Sequence, residues 1–477
     1  MAATLTRSSE TDYAPRVFIS QWGLAVAFHQ FWLQLWVATP LDATLTSLAL
    51  LTAFNPSSTR LFVLFAVTHI SKIVVEMPYA WNHELLALIV ELHFVVALIL
   101  VARTKRGFSV QVAEVFAIFA PAARLSYATL YFFTTFHKLN SDFLFNPDVS
   151  CGSHFYRIFI ENYPGLQVPS ALSPEVAATV VTMGSEALIP ILLVPRKTRP
   201  VGVVWAVTFH TLVGATNNTD FSTLAFALIV LFVSPAFLNA CAQRVTSWLE
   251  AAQRFGPAAY LRSASLNVLF PLALVFALTP LLPITRRHYQ TVQVAWLLCA
   301  LGFLSIQVYG MTVRDSQRLQ TIGTLRLQWW PQRALQVLLL FLGLSPYLGF
   351  RTEGSFSMFS NLRTEGGRSN HLLMPAVPLF NYQTDLVTLV DTNDRDLLIR
   401  TNFRTRRLVF FEFQKQIRKS LKNGPWVTVT YRRRGKLVGP IPVQEVVEHL
   451  RDYNAVENKV LWFRSVPHEG DKDYCQH

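Results

Sequence analysis

The stretch VAEVFAIFAPAARLSYATLYFFTTFHK, residues 112–138, decides the fold. It stays apolar over more than the roughly 20 residues that a helix needs to cross a bilayer core of about 30 Å. It closes on His137 and Lys138, just before the polar turn Asn140-Ser141-Asp142. Intervals of seven put Lys138, Tyr131 and Arg124 on one helical face, with Tyr127 and Thr134 between them. Ionisable side chains inside a membrane are costly and face a protected interior or a water-filled site. One polar stripe on an apolar helix therefore marks a candidate for chemistry.

Composition points the same way. The chain of 477 residues is 52% hydrophobic and only 15% charged, where a soluble domain carries about a quarter charged residues. Apolar runs of membrane-spanning length recur, with helices expected near 17–39, 41–55, 60–77, 84–102, 112–137, 174–194, 200–216, 220–238, 264–282, 289–310 and 333–350. The expected fold is an all-α polytopic transmembrane bundle of nine to eleven helices over residues 1–350. A small soluble α+β domain follows over residues 351–477. The first run, Val17–Thr39, exceeds a signal-peptide core and reads as a retained helix.

The net charge of +13 suits either an acidic partner or loops that set membrane orientation. In a membrane protein the second account governs, and no nucleic-acid partner is expected. With eleven crossings Arg7, Arg16, Arg60, the run Arg103–Arg106, the run Arg196–Arg199, Arg244, Arg254, and Arg314 through Arg326 share one side. That side is cytoplasmic by the positive-inside rule, with Arg286 and Arg287 as the exception. His83, Lys138, His210, Asn217, Asn218 and Asp220 then gather near the outer or lumenal face. The compartment, plasma membrane or endoplasmic reticulum, stays open.

After Arg351 the pattern turns soluble. A Gly/Ser-rich connector over Gly354–Ser369 precedes strands at Leu386–Asp391 and Trp426–Arg432 and a hairpin turn at Arg434-Gly435. Helices are expected at Phe410–Leu421 and Gln444–Tyr453. The four cysteines, Cys151, Cys241, Cys299 and Cys475, show no CxxC and no paired spacing, so neither a disulfide framework nor a metal knuckle is indicated. HExxH, phosphate-loop and Gly-x-Ser-x-Gly motifs are missing, and no metal is expected.

Lys138 is the candidate base. Burial disfavours the charged form of an amine, and an amine tuned toward neutrality can take a hydroxyl proton within hydrogen-bond reach. The same position also suits an interfacial lysine whose stem lies along apolar surface. Trp81-Asn82-His83 opens another helix and can orient a substrate, or can supply an interfacial aromatic with a capping Asn. His210 fits a ligand-binding or a hydrogen-bonded core role. Arg124 is expected to pair with Glu186 or Glu91 and hold the bundle in register.

Phe136-His137-Lys138-Leu139-Asn140-Ser141-Asp142-Phe143 resembles the Lys-Lys-Leu-Asp-Ala-Asp-Trp type segment of vitamin K-dependent γ-glutamyl carboxylases and the related horizontally transferred transmembrane domain (HTTM) proteins. Trp81-Asn82-His83 is similar to the family's Trp-Asn-Asn-His segment, and Phe209-His210 with Asn217 to its Phe-His-x-x-Asn segment, in the same order. Thr352-x-Gly354 through Ser357-Met358, then Ser369-Asn370-His371, resembles the entry to the carboxylase lumenal domain. The likeness spans residues 17–375. It implies a membrane lyase in which Lys138 deprotonates reduced vitamin K or another quinol. Oxygen turns that quinol into a strong base, a peptide glutamate loses its γ-proton, and CO2 adds. By the same resemblance His83 is catalytic, and Trp81, Asn82, His210 and Asn217 bind substrate or cofactor; Tyr131 on the polar stripe and His137 beside Lys138 are expected to do so as well. His137 and Phe143 replace the family's second lysine and its tryptophan. About 120 residues stand where the family has a large propeptide-recognising region, a departure that bears on the peptide substrate rather than on the membrane fold. The partners expected from the resemblance are the lipid bilayer, a quinone and a secreted peptide. The alternative is a non-catalytic HTTM protein that binds a lipid, quinone or partner, or that assists maturation of a secreted peptide.

Overall fold

The computed structural model describes residues 13–33, 35, 37–105, 110–162, 173–216, 218–239, 302, 325–424, 426–472 and 474–475. Helices dominate: α1 (Tyr13–Trp32), α2 (Pro40–Phe54), α3 (Thr59–Glu76), α4 (Asn82–Lys105), α5 (Val112–His137), α6 (Ser141–Phe145), α7 (Cys151–Asn162), α8 (Pro174–Leu193), α9 (Arg199–Ala215), α10 (Thr219–Val230) and α11 (Trp330–Leu348). Three of them, α4, α5 and α8, are long and apolar enough to cross a membrane. The expected helices over 264–282 and 289–310 lie outside the described residues. The first helix stops at Trp32 rather than continuing to residue 39, because Pro40 opens α2 and the Thr39 side chain caps it at Asp42 N.

α1 packs on α2 and α10, α4 on α5, and α8 on α5, α7 and α9, while α11 lies against α4 and α5. Small residues allow the closest approach. A Cβ added at Gly23 would sit 2.6 Å from Ala49 O, and Ser20 Oγ donates to Ala53 O at 2.9 Å across the same contact. Polar links set register elsewhere. Gln336 of α11 donates to Thr129 Oγ1 at 2.7 Å and accepts from Ser126 Oγ at 3.2 Å on α5.

The expected strands and hairpin turn fall inside a five-stranded antiparallel sheet of order β4-β3-β1-β2-β5. Its strands are β1 (Leu386–Thr392), β2 (Arg406–Val409), β3 (Thr428–Arg433), β4 (Lys436–Pro442) and β5 (Val466–Pro467). Arg434 and Gly435, with φ of +48° and +78°, make the β3–β4 turn. Strands β2 and β5 are too short to show a period of two in sequence. Helices α12 (Arg395–Arg400), α13 (Phe410–Ser420), α14 (Val443–Glu448) and α15 (Ala455–Val460) complete the domain. Phe413 and Ile417 of α13 pack into a core with Val387, Leu389, Leu408 and Val429.

The segment expected to be a loose connector is built into the structure instead. Ser355, Phe356, Ser357, Ser360, Leu362 and Thr364 are buried. Thr352 N donates to Trp462 O at 3.1 Å and Leu372 N to Leu139 O at 2.9 Å, and Lys459 Nζ reaches Val75 O at 2.7 Å. These contacts seat the C-terminal domain on the end of the bundle where α3 and α5 finish and α4 begins. Against the sequence expectation, Cys151 and Cys475 form a disulfide. Their separation of 324 residues hides the pairing from any spacing rule.

Two carboxyls in this region are pushed up by burial, Glu353 and Glu412. Glu412 accepts from Phe463 N at 3.0 Å through one oxygen, while its second oxygen has no partner. The folded Glu412 carboxyl ionises at higher pH than its ordinary 4.5. Folding is therefore penalised increasingly as pH rises from that value through the raised one. Glu412→Gln keeps the acceptor without the charge. Thermal unfolding of the full-length protein should show the variant equal to wild type near the ordinary glutamate pKa and more stable at neutral pH; equal stability at both pH values would contradict this.

Candidate functional site

Lys138 is the C-cap of α5 and is 1% exposed. Its ammonium donates to Glu186 Oε2 at 2.8 Å and to Thr134 O at 3.3 Å, and lies 5.8 Å from the centre of the Phe143 ring. An ion pair this deep offsets its desolvation only when both partners stay in place. Packing of α8 on α5 provides that placement.

Glu186 also lines a cavity of about 380 Å³. Phe155, Tyr156 and Phe159 of α7 form one wall, Val181 and Ser185 of α8 a second, and Phe209 and Leu212 of α9 a third. Tyr131 and Thr134 of α5, with Met358 and Phe359 from the buried connector, close it. Val181 and Leu212 are 63% and 52% exposed, so the cavity opens sideways between helices on an apolar surface. A concave apolar chamber with a few convergent polar groups is the usual form of a small-molecule site.

A second polar pair stands at its rim. The Tyr131 hydroxyl makes a short hydrogen bond to His210 Nε2. Tyr127 OH lies 3.2 Å from the same nitrogen, and Ser222 Oγ lies 3.4 Å from Nδ1. Two phenols thus converge on one imidazole, which fixes its ring behind Tyr131, itself a residue of the cavity wall.

The remaining expected residues divide by place. Asn82 Oδ1 accepts from Phe356 N at 2.5 Å. His137 sits between Phe356 O, at 3.1 Å, and Gly343 O, at 2.9 Å, and Asn140 donates to Ser360 O at 2.5 Å. Together they clamp residues 356–360, where Phe356 and Phe359 hold φ of +61° and +51°. A left-handed conformation costs a non-glycine residue roughly 1–2 kcal/mol, so the clamp is what keeps Met358 and Phe359 in the cavity wall. Asn82 and His137 are therefore positioning residues and do not line the cavity. Trp81 is 48% exposed and does not line it either. Asn217 lies outside the described residues, while its neighbour Asn218 lines the cavity.

Neither expected pairing of Arg124 forms. Its Nε donates to Leu231 O at 2.6 Å, Glu186 is taken by Lys138, and Glu91 accepts from Trp22 Nε1 at 2.9 Å beside His69 Nδ1 at 2.7 Å. Arg124 lies nearly four turns of α5 from Lys138, about 21 Å along the axis and out of reach of the carboxylate at the helix end.

His83 belongs to a different cluster, with His29, Glu84 and Asp220. Phe221 stands between: its ring is 6.2 Å from that of His83 and 5.3 Å from that of His210, and it lines the cavity. Sequence reasoning missed His29, whose signal was one imidazole near the end of a mostly apolar helix. It also missed α7 and the cavity role of residues 356–360. His29, His83 and Asp220, which no sequence motif groups, bring one ligand-type atom each within 4.8 Å of the others.

Comparison of the chain with protein-family models, curated proteins and solved structures finds no match.

A buried ion pair predicts a specific pattern of stability. Lys138→Met or Glu186→Leu alone strands a buried charge and should cost about 3–5 kcal/mol. The double variant should cost well under the sum of the two. Thermal unfolding of the four proteins measures the coupling, and additive losses would show that the pair carries no interaction energy.

Proposed function

We propose that this chain is an integral membrane protein resembling the HTTM and vitamin K-dependent γ-glutamyl carboxylase group, and that it acts on a lipid-soluble, quinol-like substrate. The observation that carries this reading is the coincidence of an aromatic-lined cavity, open toward apolar surface, with a buried Lys138–Glu186 pair at its wall. A flat ring with a short apolar tail fits the size and lining, and a substrate dissolved in the bilayer would enter between Val181 and Leu212.

Glu186 presents the carboxylate to the cavity and Lys138 lies behind it. We assign proton removal to this dyad: a substrate hydroxyl within reach of Glu186 gives up its proton, and the Lys138 ammonium beside it balances the developing negative charge. Tyr131, held by His210, is placed to donate to a second oxygen of the ring. A bound quinol of the reduced vitamin K type would supply, with O2, the base strength needed to remove a glutamate γ-proton ahead of CO2 addition. The clamp on Phe356–Ser360 holds Met358 and Phe359 in the cavity wall. The competing reading is a non-catalytic quinone- or lipid-binding protein. It is favoured by the burial of Lys138, whose ammonium is already engaged by Glu186 and the Thr134 carbonyl.

Two independent features support an outer or lumenal position for this end of the bundle. Arg60, Arg103, Lys105, Arg196 and Lys197 are exposed at the opposite helix ends, as the positive-inside rule asks of a cytoplasmic face. The Cys151–Cys475 disulfide belongs to an oxidising compartment. In sealed, right-side-out vesicles of a Cys241→Ser, Cys299→Ser protein, a membrane-impermeant thiol reagent should label the chain only after treatment with an impermeant reductant. Labelling before reduction, or none after it, would contradict the assigned face.

The catalytic reading is tested on full-length protein in nanodiscs with a reduced naphthoquinone and O2, measuring epoxide formation. Lys138→Gln and Glu186→Gln should each lower turnover by about 10²-fold or more while quinone binding changes only a few-fold. Equal turnover in wild type and variants would remove the dyad from the chemistry. Binding without turnover in wild type would establish the binding protein.

A further inference from the structure

We propose that His29, His83 and Asp220 form a binding site for one divalent first-row transition metal ion, built from α1, α4 and α10 behind the wall of the cavity. The Asp220 Oδ2 atom lies 3.7 Å from His29 Nδ1 and 3.7 Å from His83 Nε2. The two imidazole rings are 5.2 Å apart and nearly edge to face. With metal–ligand bonds of about 2.0–2.2 Å, ligand atoms around a four-coordinate ion stand roughly 3.3 Å apart. The two contacts of Asp220 stand a few tenths of an ångström above that spacing, and all three ligand atoms lie within 4.8 Å of one another.

Burial and bonding argue the same way. His29 and His83 are 7% and 8% exposed, and among the described residues both ring nitrogens of His29 and Nε2 of His83 lack a hydrogen-bond partner, facing only carboxylate oxygens at 3.4 and 3.7 Å. Buried polar atoms in folded proteins are nearly always satisfied, and a cluster that is not points to a missing ligand. These atoms, with Asp220, surround a void of about 20 Å³, about the space of one small ion or water.

The surroundings have the form of a metal site. His29 Nε2 faces Glu84 Oε1 at 3.4 Å, and the other Glu84 oxygen is fixed by Trp81 N at 2.6 Å. A carboxylate placed to take the N–H of a bound imidazole fixes its tautomer and raises its basicity. His69 also borders the void, with its Nδ1 on Glu91 at 2.7 Å, but the ligand atoms that lie within 4.8 Å of one another are those of His29, His83 and Asp220, three protein ligands. Two imidazoles and one carboxylate suit zinc or ferrous iron and disfavour calcium or magnesium, which prefer all-oxygen sets. Three protein ligands also leave a coordination position free, the pattern of reactive rather than purely structural sites.

The test uses untagged full-length protein in nanodiscs, stripped with chelator, loaded with Zn2+, desalted and measured for metal per chain. Wild type should retain about one Zn2+, and His29→Gln and His83→Gln should lose it. Glu84→Gln should weaken retention about 10–100-fold. Substitution with Co2+ gives a readout that needs no variant: a visible d–d absorption displaced by one equivalent of Zn2+. Wild type that keeps no Zn2+ and shows no Co2+ band overturns the proposal, as does equal retention in the histidine variants.

Discussion

A lysine ammonium sealed at the end of an apolar helix must have an anion within reach, and this need organises the helical region. Lys138 finds Glu186 at 2.8 Å, which fixes α8 against α5. That contact also sets the chamber, because Glu186 faces into it while α7 and α9 pack on the flanks of α8. Without the pair, two buried charges would each be unsatisfied at a cost of several kcal/mol. Polarity at the wall and the shape of the chamber are one constraint seen from two sides.

The opposite wall depends on strain held in place. Phe356 and Phe359 occupy left-handed backbone, a conformation that persists only where surrounding contacts over-determine it. Asn82 and His137 supply those contacts from the starts and ends of separate helices. The buried connector and the disulfide at Cys151 then tie the C-terminal domain to the same end of the bundle. Residues that read in sequence as ligands of a substrate are thus holders of the segment that a substrate would touch.

Much of the architecture was legible because long apolar runs with caps have few alternatives. Residues 112–137 read as a helix and are one, and the Arg434-Gly435 turn is visible from glycine chemistry alone. Side-chain partners were not legible, since they depend on which helices adjoin. Arg124 was expected to meet a carboxylate and instead meets the Leu231 carbonyl. His83 was grouped with Lys138 by depth, yet helix rotation turns it toward His29 and Asp220. Depth along a membrane normal is a sequence property, but direction around a helix bundle is a packing outcome. The Cys151–Cys475 pair escaped for the same reason: a separation of 324 residues carries no local signal of closure.

The central claim is that the chamber between α7, α8 and α9 receives a lipid-soluble ring and presents it to Glu186. A photoreactive naphthoquinone, cross-linked to full-length protein in nanodiscs and mapped by peptide mass spectrometry, tests it most directly. The account predicts adducts on Phe155–Phe159 and on Ala177–Glu186, suppressed by excess unlabelled quinone. Adducts confined to outward-facing residues such as Leu64, Val75 or Val337, or insensitive to competition, would contradict it.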